Sequence, residues 1–183
     1  MVAIRDSEII DPLEIYYDKK HNLVILRALA NISGAEWDIA ELIIELSKKL
    51  KAKEIISIEG VASEKLGKKS SVYYYTNLKN GKFQQAKIED FKNGVIVGVT
   101  GVLLLKNKEL PLSCIFADAD PSLPDSRAAG EIIKALDSYL GLKVDYKPLF
   151  KAAEKFEGKL KELMSSVKKV SDKKQEKDTS YLG

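Results

Sequence analysis

Gly94, Gly98 and Gly101 stand in front of a helix-compatible run, and glycines ahead of a helix N-terminus are what a phosphate-cradling loop needs. Their spacing is neither G-x-G-x-x-G nor a Walker loop, and no Lys-Ser/Thr pair follows Gly101. The alternative is a tight strand-to-helix turn that demands small residues. Asp118, Asp120 and Asp125 follow the apolar run "PLSCIFA". In an open α/β sheet the ligand crevice forms at such strand ends, and grouped carboxylates are the ligands Mg²⁺ takes. Here the alternative has Asp125 capping a helix while the other two solvate a loop. Thr100, Gly101, Asp118, Asp120 and Asp125 together make the candidate ligand crevice.

The rest of the chemical inventory is thin. His21, the single histidine, lies in the polar connector "DKKHN" and reads as solvated. Cys114, the single cysteine, lies in the apolar "PLSCIFA" and reads as a buried thiol. One of each gives no support to a nucleophile–histidine pair, and counting alone argues against a histidine- or thiolate-ligated zinc site. The tyrosines of "VYYYT" alternate faces in a strand and suit packing better than base stacking. No catalytic residue, metal ligand or cofactor is assigned. The balance favours a binding protein over an enzyme. The alternative is a phosphate- or nucleotide-binding protein, or an enzyme, built on the Thr100–Gly101 turn.

The elements that must position these residues follow from periodicity. "LEIYY" and "NLVILRAL" are rich in β-branched and aromatic residues and flank a connector of hairpin length. In "SGAEWDIAELIIELSKKLKA", Ile39, Ile43, Leu46 and Leu50 recur at helical steps, which predicts a broad buried face. Ser33 and Glu36 have capping-box spacing there. "KEIISIEG", "SSVYYYTN" and "PLSCIFAD" read as strands, with a turn at Asn80-Gly81. "GVIVGV" (94–99), apolar at every position, predicts a central strand covered on both faces, leading into a short helix capped by Thr100. "PDSRAAGEIIKALDSYLG" has Asp125 at capping-box spacing from Ser122, and Gly141 as its stop. A last helix spans about 148–167. Its stripe of Leu149, Ala153, Phe156, Leu160, Leu163 and Val167 has heptad spacing. Phe156, Leu160 and Leu163 are the candidate oligomer interface, the alternative being burial against the domain's own sheet. Strands alternating with helices predict an α/β layered fold with a mostly parallel central sheet.

Apolar residues at 45% and charged residues at 31% suit a soluble domain, and no apolar run is long enough for a membrane span. The N-terminus lacks the apolar core of a secretory signal, so a cytoplasmic location is expected. Of the net charge of +3, the segment Lys168–Gly183 holds five lysines against three acids, or +2, which leaves about +1 for the body. So neutral a body makes a poor phosphate-backbone binder, and nucleic acid is not expected as a partner. Residues 1–167 are expected to form one domain, followed by a flexible charged tail at 168–183.

The segments "AKEIISIEGVAS", "VYYYTN", "GVIVGVTGVLLL" and above all "PDSRAAGEIIKALDSYLGLKVDYKPLFKAAEKFEGKLKELM" carry a resemblance. Over about residues 22–167 the chain resembles the proteasome assembly chaperone family, whose archaeal members are homologues of the eukaryotic assembly chaperones. The resemblance implies a three-layer-like sandwich similar to the nucleoside phosphorylase type, with a long C-terminal helix. It implies a non-enzymatic archaeal chaperone that is homo-oligomeric and partners the α-subunits of the proteasome core. It also bears on the ending "DTSYLG", an apolar tip on a charged run. Chaperones of this family are expected to end in a hydrophobic-Tyr-x tip that inserts between α-subunits. Here Tyr181 stands third from the end, after Ser180, which makes Tyr181, Leu182 and Gly183 the candidate partner-binding residues.

Overall fold

The computed structural model describes residues 3–5, 7–28, 32–62, 70–79, 81–119, 125–155 and 158–159. Asn80, Asp120, Ser122, Phe156, Leu160, Leu163, Tyr181, Leu182 and Gly183 lie outside the described residues, as does the tail at 168–183. The chain forms two compact units, residues 1–59 with 73–116 and residues 60–72 with 117–183.

In the first unit, β1 (Ala3–Arg5) pairs antiparallel with β2 (Glu8–Ile10). The expected hairpin forms from β3 (Leu13–Asp18) and β4 (Leu23–Ala28), in register from Leu13↔Ala28 to Asp18↔Leu23. Helix α1 (Glu36–Lys49) has the expected span, but its cap differs. Ala35, not Ser33, is the N-cap, and the Glu36 carboxylate accepts from the Gly34 N–H at 2.8 Å. Of its apolar stripe, Ile39, Ile43 and Leu46 are half-buried and Leu50, the C-cap residue, is exposed; only Ala40 is fully covered. The face is therefore narrower than the spacing suggests, and it packs on α3 (Gly98–Lys106).

A four-stranded sheet has the order β5-β8-β6-β7, from β5 (Ile55–Ala62), β6 (Val72–Thr76), β7 (Glu89–Asp90) and β8 (Leu112–Ala119). The Ile55 N–H bonds the Pro111 carbonyl at 2.8 Å, and a Cβ on Gly60 would lie 3.1 Å from that of Ala119. β5 and β8 thus run parallel. β6 and β8 are antiparallel, since Asn77 N–H bonds Leu112 O at one end and Asp118 N–H bonds Ser71 O at the other. β6 and β7 are parallel, Tyr73↔Glu89 and Tyr74↔Asp90. The sheet is mostly parallel, as the alternation of elements predicts.

The strand buried on both faces is β8, whose residues Leu112 to Ala117 are all buried. The segment 94–99 is not a strand. Residues 94–97 are a loop, with Val95 89% and Val97 68% exposed, and Gly98 opens α3 at φ +69°. Three glycines within eight residues favour a turn over a ladder, and Gly98 takes a conformation that breaks a strand. The sheet's edge is supplied instead by the short β7. Helix α2 (Lys82–Gln85), which the sequence did not suggest, starts from Gly81 at φ +66°.

Phe116 rests on Phe91 with ring centroids 4.5 Å apart, Phe91 meets Tyr73 edge-on, and Tyr74 stacks on Phe83 at 4.4 Å. Tyr74 is buried and Tyr75 exposed, so the tyrosine run packs one ring inward, as strand alternation requires. Tyr74 is pushed up to about 12 by the Asp90 carboxylate beside it and by burial.

In the second unit, α4 (Ser126–Leu140) ends at Gly141, φ +69°, where the sequence places its stop, but its N-cap is Asp125, the alternative reading of that residue, and not the third position of a helix capped by Ser122. It buries Ala128, Gly130, Ile132, Ala135, Leu136 and Tyr139. A further helix, α5, covers 147–155. A Cβ on Gly130 would meet the Phe150 ring at 3.0 Å, so the glycine lets α5 approach α4 closely. In the described part of the heptad stripe, Leu149 is half-buried and Ala153 buried.

Candidate functional site

Each residue of the candidate crevice has a structural position. Thr100 is not a cap: Val97 is the N-cap of α3, and Thr100 lies inside the helix, buried. Its hydroxyl bonds that of Ser57 on β5 at 2.7 Å. A Cβ on Gly101 would lie 2.8 Å from the Ile96 carbonyl oxygen, so this position needs glycine for a close backbone approach. Those two residues belong to the first unit; Asp118 and Asp125 belong to the second. The half-buried Asp118 ends β8's pairing with Ser71. The Asp125 carboxylate accepts from the N–H groups of Arg127 at 3.0 Å and Ala128 at 2.8 Å, the work of an N-cap. Asp125→Ala is therefore expected to cost about 1 kcal/mol, read from the midpoint of denaturant unfolding with and without Mg²⁺. A cap predicts the same loss in both.

Ser57 and Glu59 were missed in the sequence, although they interrupt the apolar run "IISIEG" at a strand period of two. Glu59 takes the Thr100 hydroxyl as a second partner. Burial raises its carboxyl above the ordinary value, and the Thr100 hydrogen bond offsets part of that rise. Below the ordinary carboxylate value Glu59 is neutral in folded and unfolded chains alike. As pH rises through its raised folded value, the folded chain resists ionisation and this contribution to stability is lost. Glu59→Gln is thus expected to raise the Tm at pH 7 and to leave it nearly unchanged at pH 4, in paired thermal melts.

Cys114 is fully buried, as the sequence suggests, and its thiol is pushed up to about 12, first by burial and then by the Glu59 charge. A thiol so placed is a poor nucleophile at neutral pH. Beside it Ser113, also buried, donates to Glu54 and shares a 2.8 Å hydroxyl contact with Thr76. These polar groups tie β5 to α3 and β6 to β8, and β8 to Glu54 just ahead of β5. His21 pairs with Asp18 at the hairpin turn, and this contact, more than any other, holds the Asp18 carboxyl below its usual value. Among the described residues no group of three or more His, Cys, Asp or Glu side chains is placed to hold a metal, and no helix is long and apolar enough to cross a membrane.

What the described surface offers is apolar contact. Besides Val95 and Val97, Trp37 and Leu105 are exposed, and Lys106 sits 4.9 Å over the Trp37 ring while pairing with Glu41. The β3–β4 hairpin exposes Leu13, Ile15, Tyr16, Tyr17, Val24 and Ile25. Exposed aromatic and aliphatic groups in clusters mark contact surfaces.

The chain is 28% identical over 153 residues to an uncharacterized protein of Methanocaldococcus jannaschii, covering 79% of this chain and spanning about 60% of that relative's length. Among solved structures it is similar to Pyrococcus furiosus PbaA, an archaeal homolog of proteasome-assembly chaperone. The TM-score is 0.82 and the identity 25%, over 97% of this chain and 76% of that one. Pyrococcus furiosus PbaB, an archaeal proteasome activator, shares the fold at TM-score 0.70 and 20% identity, over 90% of this chain and 77% of that one. The PAC2 family model matches residues 1–164, and the chain belongs to the PAC2 family.

Proposed function

We propose that the protein is a non-enzymatic proteasome assembly chaperone or core-binding protein, acting on the α-subunits of the proteasome core. The observation that carries this is the likeness to PbaA over nearly the whole chain, within a family match to residues 1–164. Its apolar exposed surface supports a contact role over a chemical one.

In this reading residues 1–167 act as one domain of a sandwich similar to the nucleoside phosphorylase type, with a long C-terminal helix. The charged segment 168–183 carries Tyr181, Leu182 and Gly183 as the docking tip. A flexible tail loses little affinity to strain, and several copies on a homo-oligomer add avidity. Phe156, Leu160 and Leu163 provide one self-contact along the terminal stripe, and the protein works in the cytoplasm of an archaeal cell.

The test is co-sedimentation with a purified core particle and, separately, with free α-subunits from the same source. Binding to free α-subunits alone assigns assembly, and binding to the finished core assigns a core-binding role. Binding to neither refutes both.

A further inference from the structure

Two asparagines of the sequence, Asn80 and Asn93, precede a glycine. Such a step is open to intramolecular attack, because a residue without Cβ lets its backbone nitrogen approach the neighbouring carboxamide. The described asparagines other than Asn93 have their side chains engaged. Asn77 spans the Leu110 carbonyl and the Leu112 N–H, Asn107 bonds both backbone groups of Leu110, and Asn22 accepts from the Tyr17 hydroxyl. Asn93 is exposed, and neither its carboxamide nor the Gly94 N–H has a hydrogen-bond partner among the described residues. The chain is fixed just upstream instead, where the Phe91 N–H bonds the Tyr74 carbonyl at 2.7 Å and the Phe91 ring rests on Phe116. Gly94 lies so close to that ring that a Cβ there would collide with it. Residues 91–97 belong to no helix or strand, and beyond Gly94 stand the exposed Val95 and Val97.

We infer that Asn93 is a self-modifying site, at which the folded chain slowly converts its own asparagine to aspartate and isoaspartate. The Gly94 backbone nitrogen attacks the side-chain carbonyl carbon of Asn93 and gives up its proton to solvent. The bond from that carbon to the carboxamide nitrogen breaks, and the nitrogen leaves as ammonia. The five-membered succinimide that results takes up one water. Opening at the side-chain carbonyl yields aspartate. Opening at the backbone carbonyl yields isoaspartate, in which the main chain runs through the former side chain and gains a methylene. Water is the co-reactant throughout. Asparagine is a heat-labile residue, and the reaction needs an amide that can lose its proton and a side chain that can turn. The step from Asn93 to Gly94 has both, and the engaged asparagines lack the second. Either product puts a carboxylate next to Val95 and Val97. The isoaspartate also lengthens the backbone between the anchored Phe91 and a glycine with no spare room beside its ring. In a close-packed setting that added length shifts the loop and the start of α3, where Gly101 already approaches Ile96 closely. Aged molecules are thereby marked at one exposed loop, by charge and by shape.

Ageing the full chain in warm, mildly alkaline buffer, followed by peptide mapping, tests it. A mass gain in the peptide holding Asn93 is expected, with ammonia released. Part of the product is expected to accept a methyl group from S-adenosylmethionine when isoaspartyl methyltransferase is added as the reagent that reports isoaspartate. Asn22, Asn77 and Asn107 are expected to stay intact. Gly94→Ala would hinder the attack but crowds Phe91, so Asn93→Gln carries the comparison. Its exposed side chain tolerates the change, and the larger ring it would have to close is expected to slow modification at this position at least tenfold. A synthetic peptide of residues 90–97 gives the rate of an unrestrained step, and the folded chain is expected to react within a few-fold of it. The isoaspartyl form, separated by ion exchange, is expected to melt several degrees below fresh protein. Asn93→Asp, which has the charge without the added methylene, is expected to melt with the wild type. An Asn93 that stays intact while Asn80 or another asparagine reacts overturns the inference. So does a folded chain protected more than a hundredfold relative to the peptide, or an isoaspartyl form that melts with fresh protein.

Discussion

Phe116→Ala is expected to destabilise the protein by about 4 kcal/mol, the cost of emptying an aromatic site in a core that collapses only partly. The Phe116 ring has no exposed surface and sits in the strand whose neighbours are β5 and β6. It packs on Phe91, which in turn meets Tyr73, so the cavity has aromatic walls that cannot fold inward. At this chain length each kcal/mol moves the Tm by about 2–4 °C, so a fall of about 8–16 °C is expected. Phe116→Leu keeps most of the volume and should recover more than half of the loss. A thermal melt showing a drop below about 3 °C for the alanine variant contradicts the placement of β8 at the centre of the sheet.

Gly101→Ala sets two effects against each other. Inside a helix alanine is normally favoured over glycine by about 1 kcal/mol, and Gly101 lies within α3. The new methyl would stand 2.8 Å from the Ile96 carbonyl oxygen, a backbone atom that moves only if the loop 94–97 moves with it. Overpacking of this kind costs about 1–3 kcal/mol, which matches or outweighs the propensity gain, so a net loss of up to about 2 kcal/mol is expected. Gly98→Ala is a useful contrast. It meets nothing within 4 Å but sits at φ +69°, so its cost is purely conformational, about 1 kcal/mol. Urea unfolding of the two variants separates the causes: shortening the 94–97 loop changes the first penalty and not the second. A stabilised Gly101→Ala variant contradicts the close approach.

The elements most legible in the sequence are those with local causes. Gly141 at the end of α4 and Asp125 at its start mark the helix because capping chemistry acts over one turn. The β3–β4 hairpin is legible because β-branched and aromatic runs flank a short polar connector. "GVIVGV" misled because apolar composition reports burial only when the backbone can join a ladder, and Gly98 at positive φ cannot. Ser33 and Glu36 have capping-box spacing, yet the helix starts two residues later than that spacing implies, with Ala35 as its N-cap and Glu36 bonding the Gly34 N–H. Of the candidate crevice, the sequence shows the residue types but not their partners. Nothing in "VTGV" indicates that the Thr100 hydroxyl is spent on Ser57, forty-three residues away. The exposed hairpin face is legible only once the register is known, since the same residues in a covered sheet would read as core.

Docking of the C-terminal tip on the proteasome core is tested most directly by one comparison. The intact chain and a chain lacking Tyr181 to Gly183 are titrated against a core particle from the same source. Docking through the tip predicts that the intact chain binds and that truncation abolishes binding while thermal stability and self-association are unchanged. Equal binding by the two chains contradicts a docking tip and places the contact on the folded body.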